Sequence, residues 1–141
     1  MLKVAFASTD RTRVNQHFGA AEGFVVYEVT PDKATLVGVA EFAEEAMDGN
    51  EDKLGAKVDF LEGCAAVYVM AIGASAIKKL LAKGVQPIRV DEVDGIDDLL
   101  VEISKAMSEG GVAWIDRTLA AQAKAKAEDR FATMEEEGWE G

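Results

Sequence analysis

Between positions 65 and 71 the chain reads Ala-Ala-Val-Tyr-Val-Met-Ala, seven residues without a charge. A strand with one wet face alternates apolar and polar side chains, whereas a strand covered on both faces, as in a parallel sheet, reads as a continuous apolar run. The flanking segments carry apolar residues at helical spacing, Leu54, Val58 and Leu61 before the run and Ile77, Leu80 and Leu81 after it. A buried strand between two helices restricts the fold to an α/β class with helices packed on a sheet.

The rest of the chain fits that frame. Residues 2–7 (Leu-Lys-Val-Ala-Phe-Ala) read as a first strand and residues 23–29 (Gly-Phe-Val-Val-Tyr-Glu-Val) as a second. Pro31 presets a turn, and residues 35–42 return as a third strand. An acidic stretch with Met47 follows, then the helix that Gly63 ends. Residues 73–75 open the next helix and Gly84 closes it. Residues 85–90 form a last strand, which Pro87 assigns to a sheet edge. Ile96, Leu99, Leu100, Ile103 and Met107 mark a further helix. The expected fold is a mixed five-stranded sheet in the order β-β-β-α-β-α-β-α, with right-handed crossovers. From Arg117 the chain turns rich in Ala, Lys and Glu, with Leu119, Phe131 and Met134 as its sparse apolar anchors before Trp139. The expected organisation is one α/β domain over residues 1–116 and a helical tail over 117–141.

Charge and cysteine content narrow the function. The 26 acids against 15 bases give a net charge of −11, which opposes nucleic acid and anionic membrane surfaces as partners. No apolar run approaches the roughly 20 residues that span a bilayer. The first residues are too short an apolar stretch for a secretory signal, so a cytoplasmic location is expected. Cys64 is the single cysteine, which rules out a closed four-cysteine cage within one chain.

One end of the expected sheet collects the chemistry. The first strand runs into a loop holding Arg11, Arg13 and His17, the one histidine of the chain. Imidazole is the commonest protein metal ligand and a frequent acid or base. The run 65–71 leaves at the same end, into Gly73-Ala74-Ser75, a helix start whose unpaired N–H groups favour an anion. Open α/β sheets bind ligands at such carboxyl ends. His17, Arg11, Arg13, Gly73 and Ser75 are therefore the candidate site for an anionic ligand. Taken singly, each has a plainer reading, namely a turn histidine, solvated arginines and an N-capping serine. Cys64 enters the buried run rather than leaving it, about 20 Å away at roughly 3.3 Å per residue, and reads as a buried thiol. There is no G-x-G-x-x-G and no G-x-x-x-x-G-K-[ST]. The strands 2–7 and 65–71 contain no carboxylate of the kind a nuclease would need for Mg²⁺.

Several stretches together resemble the dinitrogenase iron–molybdenum cofactor biosynthesis family. They are Val4-Ala5-Phe6-Ala7-Ser8-Thr9-Asp10, Val14-Asn15-Gln16-His17-Phe18-Gly19, Asn50-Glu51-Asp52-Lys53-Leu54, Gly63-Cys64-Ala65-Ala66-Val67-Tyr68, Gly73-Ala74-Ser75-Ala76 and Gly84-Val85-Gln86-Pro87-Ile88. The likeness continues through Arg130-Phe131, Met134 and Glu137-Gly138-Trp139. The resemblance implies a ribonuclease-H-like fold and a small carrier that binds an iron–sulfur precursor of the iron–molybdenum cofactor. It would pass that cluster from the radical enzyme that makes the core to the scaffold protein that completes it. The family histidine that is a candidate cluster ligand maps to His17, and Asn15 stands where the family often has an acid. Two other classes compete: a regulatory or interaction module of the same fold that binds no metal, and an enzyme on a small anionic substrate with His17 as acid or base.

Overall fold

The computed structural model describes residues 1–42, 50–91 and 94–140, with the backbone alone at 50–54, 94 and 129–140. In chain order the elements are β1 (Leu2–Ala7), β2 (Arg13–Val14), β3 (Gly23–Val29), β4 (Ala34–Glu41), α1 (Asn50–Leu61), β5 (Ala66–Val69), α2 (Ala74–Ala82), β6 (Gln86–Arg89), β7 (Asp94–Gly95), α3 (Ile96–Glu109) and α4 (Ala113–Glu140). Five strands form one sheet in the order β4-β3-β1-β5-β6. β3 runs antiparallel to β1 and β4, while β5 is parallel to both β1 and β6. The expected mixed α/β sheet is present. β6 lies at its edge with Pro87 in the outer position, where a missing N–H costs no ladder bond.

The uncharged run behaves as its composition requires. All four residues of β5 are buried because both faces of the sheet are covered. On one face Val4, Phe6, Val25 and Tyr68 pack with Leu99, Leu100 and Ile103 of α3 and Ile115 of α4. On the other, Ala5, Phe24, Val26, Val67 and Val69 pack with Val58 and Leu61 of α1 and Leu80 of α2. Each fully buried Leu, Val or Phe contributes about 1.5–3 kcal/mol relative to exposure. This double cover is what holds the strand ends in place, and hence the loops at the end where β1 finishes, the upper end of the sheet.

Several boundaries differ from expectation for local reasons. β5 stops at Val69, and Ala71 instead makes an isolated parallel bridge to His17. In β4 the register slips opposite Val26 and Tyr27, leaving Val37 as a bulge residue. Leu81, expected in the buried stripe of α2, is 51% exposed because Ala76 and Leu80 supply the covered face. The small β2–β7 sheet has no sequence signature at two residues per strand. The last helix begins at Ala113, four residues before Arg117, and Ile115 in its first turn is fully buried. Met47 lies outside the described residues. The side chains of Phe131, Met134 and Trp139 are likewise not described.

Candidate functional site

The loop between β1 and β3 is built from its own polar side chains. Ser8, only 3% exposed, accepts the Arg11 N–H at 2.9 Å and donates its hydroxyl to Asp10 Oδ1 at 3.1 Å. Arg11 adopts φ +64°, a left-handed conformation that closes the turn. Asp10 Oδ1 accepts the N–H groups of Thr12 and Arg13, both at 2.9 Å, and Oδ2 accepts Arg13 Nε at 2.9 Å and pairs with Nη2 at 2.8 Å. The Thr12 N–H, followed by the Arg13 guanidinium, holds the Asp10 carboxyl well below the usual carboxylate range. Gly23 closes the far side of the loop. A Cβ there would stand 2.8 Å from the Ser8 carbonyl oxygen, so only glycine permits this approach of β3 to the end of β1.

Asn15 belongs to the same frame. Its Oδ1 accepts the Thr9 N–H at 3.1 Å and its Nδ2 donates to Thr9 Oγ1 at 2.9 Å. An acid at this position could accept from the same N–H and from the Thr9 hydroxyl, so the Asn preserves the clasp with one hydrogen bond reversed. Asn15 therefore ties down the loop ahead of His17.

His17 is exposed and its backbone is fixed on both sides. The Gln16 carbonyl accepts the Met70 N–H at 2.9 Å, and the Phe18 N–H donates to the Ala71 carbonyl at 2.8 Å. Phe18 is fully buried against Phe24, with ring centroids 5.7 Å apart. The histidine thus stands opposite Ala71, two residues before Gly73. Gly73 is the N-cap of α2 in extended conformation, with no side-chain cap. Ser75 is exposed in the first turn and does not cap it. The first turn has no acidic residue, so its N–H groups present an uncompensated positive dipole end.

The structure brings His17, Gly73 and Ser75 to one side of the upper end. It does not bring the arginines there. Arg11 reaches the opposite side, pairing with Glu41 of β4 at 3.3 Å beside a cavity of about 220 Å³ lined by Ser8, Phe24 and Phe42. Arg13 is engaged by Asp10. Cys64 lies buried at the other end of the sheet, near Lys3 and Gly84. Burial pushes its thiol up, with a smaller opposing pull from Lys3. No group of three or more His, Cys, Asp or Glu suited to a metal ion exists among the described residues. No described helix is long and apolar enough to cross a membrane.

Lys57 of α1 is the residue that sequence reasoning missed. It is 4% exposed, and its Nζ donates to the carbonyls of Phe18 at 3.3 Å and Gly19 at 2.9 Å. The Phe42 ring centroid lies 5.9 Å from the same atom. Its signal was present, because Leu54, Lys57, Val58 and Leu61 occupy i, i+3, i+4 and i+7, the spacing of a buried helical stripe. A lysine in that stripe needs polar partners inside.

An exposed imidazole thus stands beside a helix start, at the carboxyl ends of two parallel strands, in a small α/β protein. The chain belongs to the dinitrogenase iron–molybdenum cofactor family, whose model matches residues 1–106. It is 46% identical to NifX of Azotobacter vinelandii over 140 residues, covering 99% of this chain and 88% of that protein. NifX of Klebsiella pneumoniae is 34% identical over 142 residues, covering 99% and 85%. The FeMo cofactor biosynthesis protein NifB of Azotobacter vinelandii is 29% identical over 127 residues, 86% of this chain but 25% of that much longer one. The crystal structure of PH0822 shares the fold with a TM-score of 0.55 at 24% identity, over 77% of this chain and 90% of that one.

Proposed function

We propose that the protein is a non-enzymatic carrier in nitrogenase cofactor assembly, holding an iron–sulfur precursor of the iron–molybdenum cofactor as transient cargo. The observation that carries this reading is the placement of the single histidine, exposed, with two main-chain bonds fastening its segment to the strand that feeds α2. His17 is the metal ligand, and the N–H groups around Gly73 and Ser75 receive the anionic cluster. Arg11 and Arg13 stay with Glu41 and Asp10 and shape the loop that carries the imidazole rather than reaching the cargo. One imidazole with no cysteine cage suits a molecule that must let its cargo go, because affinity is set mainly by the off-rate. The kinship with NifX and with NifB supports the same pathway. The partners in this reading are the radical enzyme that supplies the cluster and the scaffold protein that receives it, in the cytoplasm. The helical tail serves the docking, and residues 1–116 the cargo. The order β4-β3-β1-β5-β6, with β3 reversed, supports the ribonuclease-H-like assignment.

Anaerobic titration with the isolated precursor cluster tests the proposal. The wild-type protein should gain broad visible absorption. His17→Ala should stay folded and release cluster at least about tenfold faster, while Cys64→Ser should retain it. Tightly bound stoichiometric zinc with no cluster uptake would overturn the carrier, and uptake of neither metal nor cluster would leave a regulatory or interaction module. Loss of binding in Cys64→Ser but not in His17→Ala would move the site to the other end of the sheet.

A further inference from the structure

Ser8 and Lys57 are the only polar or charged side chains buried among the described residues, and Lys57 is the charged one. Among its partners are two consecutive carbonyls, those of Phe18 and Gly19. They belong to the turn that closes when the Ala21 N–H donates to the Phe18 carbonyl at 3.2 Å. No peptide bond here is cis, and in a trans peptide the N–H points opposite to the carbonyl of the same unit. Drawing the two carbonyls toward α1 therefore turns the N–H groups of Gly19 and Ala20 away from it. Both residues are exposed, and neither N–H has a hydrogen-bond partner among the described residues. A Cβ on Gly19 would meet nothing within 4 Å among the described residues.

We infer that Lys57 is a positioning residue that builds a two-amide anion site, the N–H groups of Gly19 and Ala20, next to His17. Successive N–H groups aimed into one space form an anion-binding concavity, and hydrogen bonds to sulfide are among the contacts that tune an iron–sulfur cluster. The ligand class is a sulfide-covered anion that accepts both N–H groups while the imidazole holds a metal. The identity of that anion rests on the carrier reading; the site itself does not. α1 holds the turn in place twice, through Lys57 and through the ring chain Phe60–Phe24–Phe18, with centroid separations of 6.5 Å and 5.7 Å. The ring chain keeps the turn anchored when Lys57 is changed, so the orientation of the peptides can be altered without losing the turn.

The test uses ¹⁵N-labelled full-length protein titrated with tetrathiomolybdate, a diamagnetic dianion covered with sulfide. In wild type the Gly19 and Ala20 amide resonances should move downfield on binding. Lys57→Met should abolish both shifts and weaken binding by about tenfold or more, the effect of losing hydrogen bonds to a charged group. Gly19→Pro deletes one N–H and leaves Lys57 in place; it should weaken binding similarly, and it decides the matter if Lys57→Met fails to fold. Unmoved Gly19 and Ala20 resonances in wild type, or wild-type affinity in these variants, would overturn the inference. Uptake of the precursor cluster through His17 with those amides unchanged would sink this site and keep the carrier. Lys57-dependent binding of tetrathiomolybdate without uptake of the precursor would do the reverse.

Discussion

At the scale of single residues, the loop before His17 is held by one carboxylate with five donor atoms, from Ser8, Thr12 and Arg13. The folded chain favours the charged form of Asp10, since its carboxyl is held below the usual range by Thr12 and Arg13. The linkage sign follows. A group with a lowered folded-state value contributes fully above the unfolded value, near 4 for a free aspartate, and loses that contribution as pH falls through the lowered value. The Thr12 and Arg13 amide resonances should therefore hold still through about pH 4 and shift only further into acid. A midpoint at the ordinary aspartate value in an NMR pH titration would show that these hydrogen bonds do not govern the loop. The Asp10–Arg13 pair was legible in principle, because an acid and an arginine three apart in a turn can meet. The Arg11–Glu41 pair was not, since it spans thirty residues and depends on β4 rising beside β1.

Among the elements, the helices were read from periodicity and the strands from apolar runs, and both signals worked where one face or both faces are buried. β1 and β3 match their expected limits residue for residue: Ser8 ends the first, and Glu22 and Thr30 bound the second. Signals failed where tertiary contact decides. The β2–β7 pairing depends on the Ile96 N–H donating to the Thr12 carbonyl at 2.9 Å, a long-range bond that no local pattern encodes. The start of α4 was misplaced because Gly110 and Gly111, with φ of +75° and +101°, break the chain, and the helix resumes almost at once. There the Asp116 carboxylate accepts the Gly111 N–H at 3.1 Å. A chain truncated after Glu128 should keep its melting temperature within the shift that about 0.5 kcal/mol produces, because the helix is already exposed from Ala120 to Glu128, before the cut. A chain truncated after Asp116 should lose about 1–2 kcal/mol, as the Leu119 packing on the core and the Gln122 bond to the Met1 carbonyl at 2.9 Å are removed. Denaturant titration separates the two. Unfolding on removal of residues 129–141 would make the whole helix part of the core.

For the whole molecule, charge and site oppose each other. A chain of net charge −11 repels an anion at long range, whereas in the proposed site the helix start at Gly73 and the turn beside His17 would attract it at contact. Screening acts on the first and hardly on the second, since the Debye length is about 8 Å at 0.15 M salt. Uptake of anionic cluster, followed by stopped-flow absorbance, should therefore speed up as ionic strength rises at constant pH. A rate that falls with salt would mean that local cations steer the encounter. The sheet order explains why the candidate site was only partly legible. β1 stands between β3 and β5, so a loop leaving β1 can turn either way. Sequence grouped Arg11 and His17 at one end correctly but could not assign them to opposite sides of it.

The bridge between His17 and Ala71 has a consequence for timing. Residues 16–18 are joined to the exit of β5 as a short length of sheet, so the backbone under the imidazole moves only by breaking two main-chain bonds and withdrawing the Phe18 ring. The imidazole itself, exposed at the surface, turns about its χ angles on the picosecond-to-nanosecond scale typical of surface side chains. In the proposed carrier, exchange of cargo held there would then be limited by the metal–nitrogen bond and by the arrival of a competing donor. If the protein is the proposed carrier, a receiving protein would need only to present its own ligand in place of the imidazole.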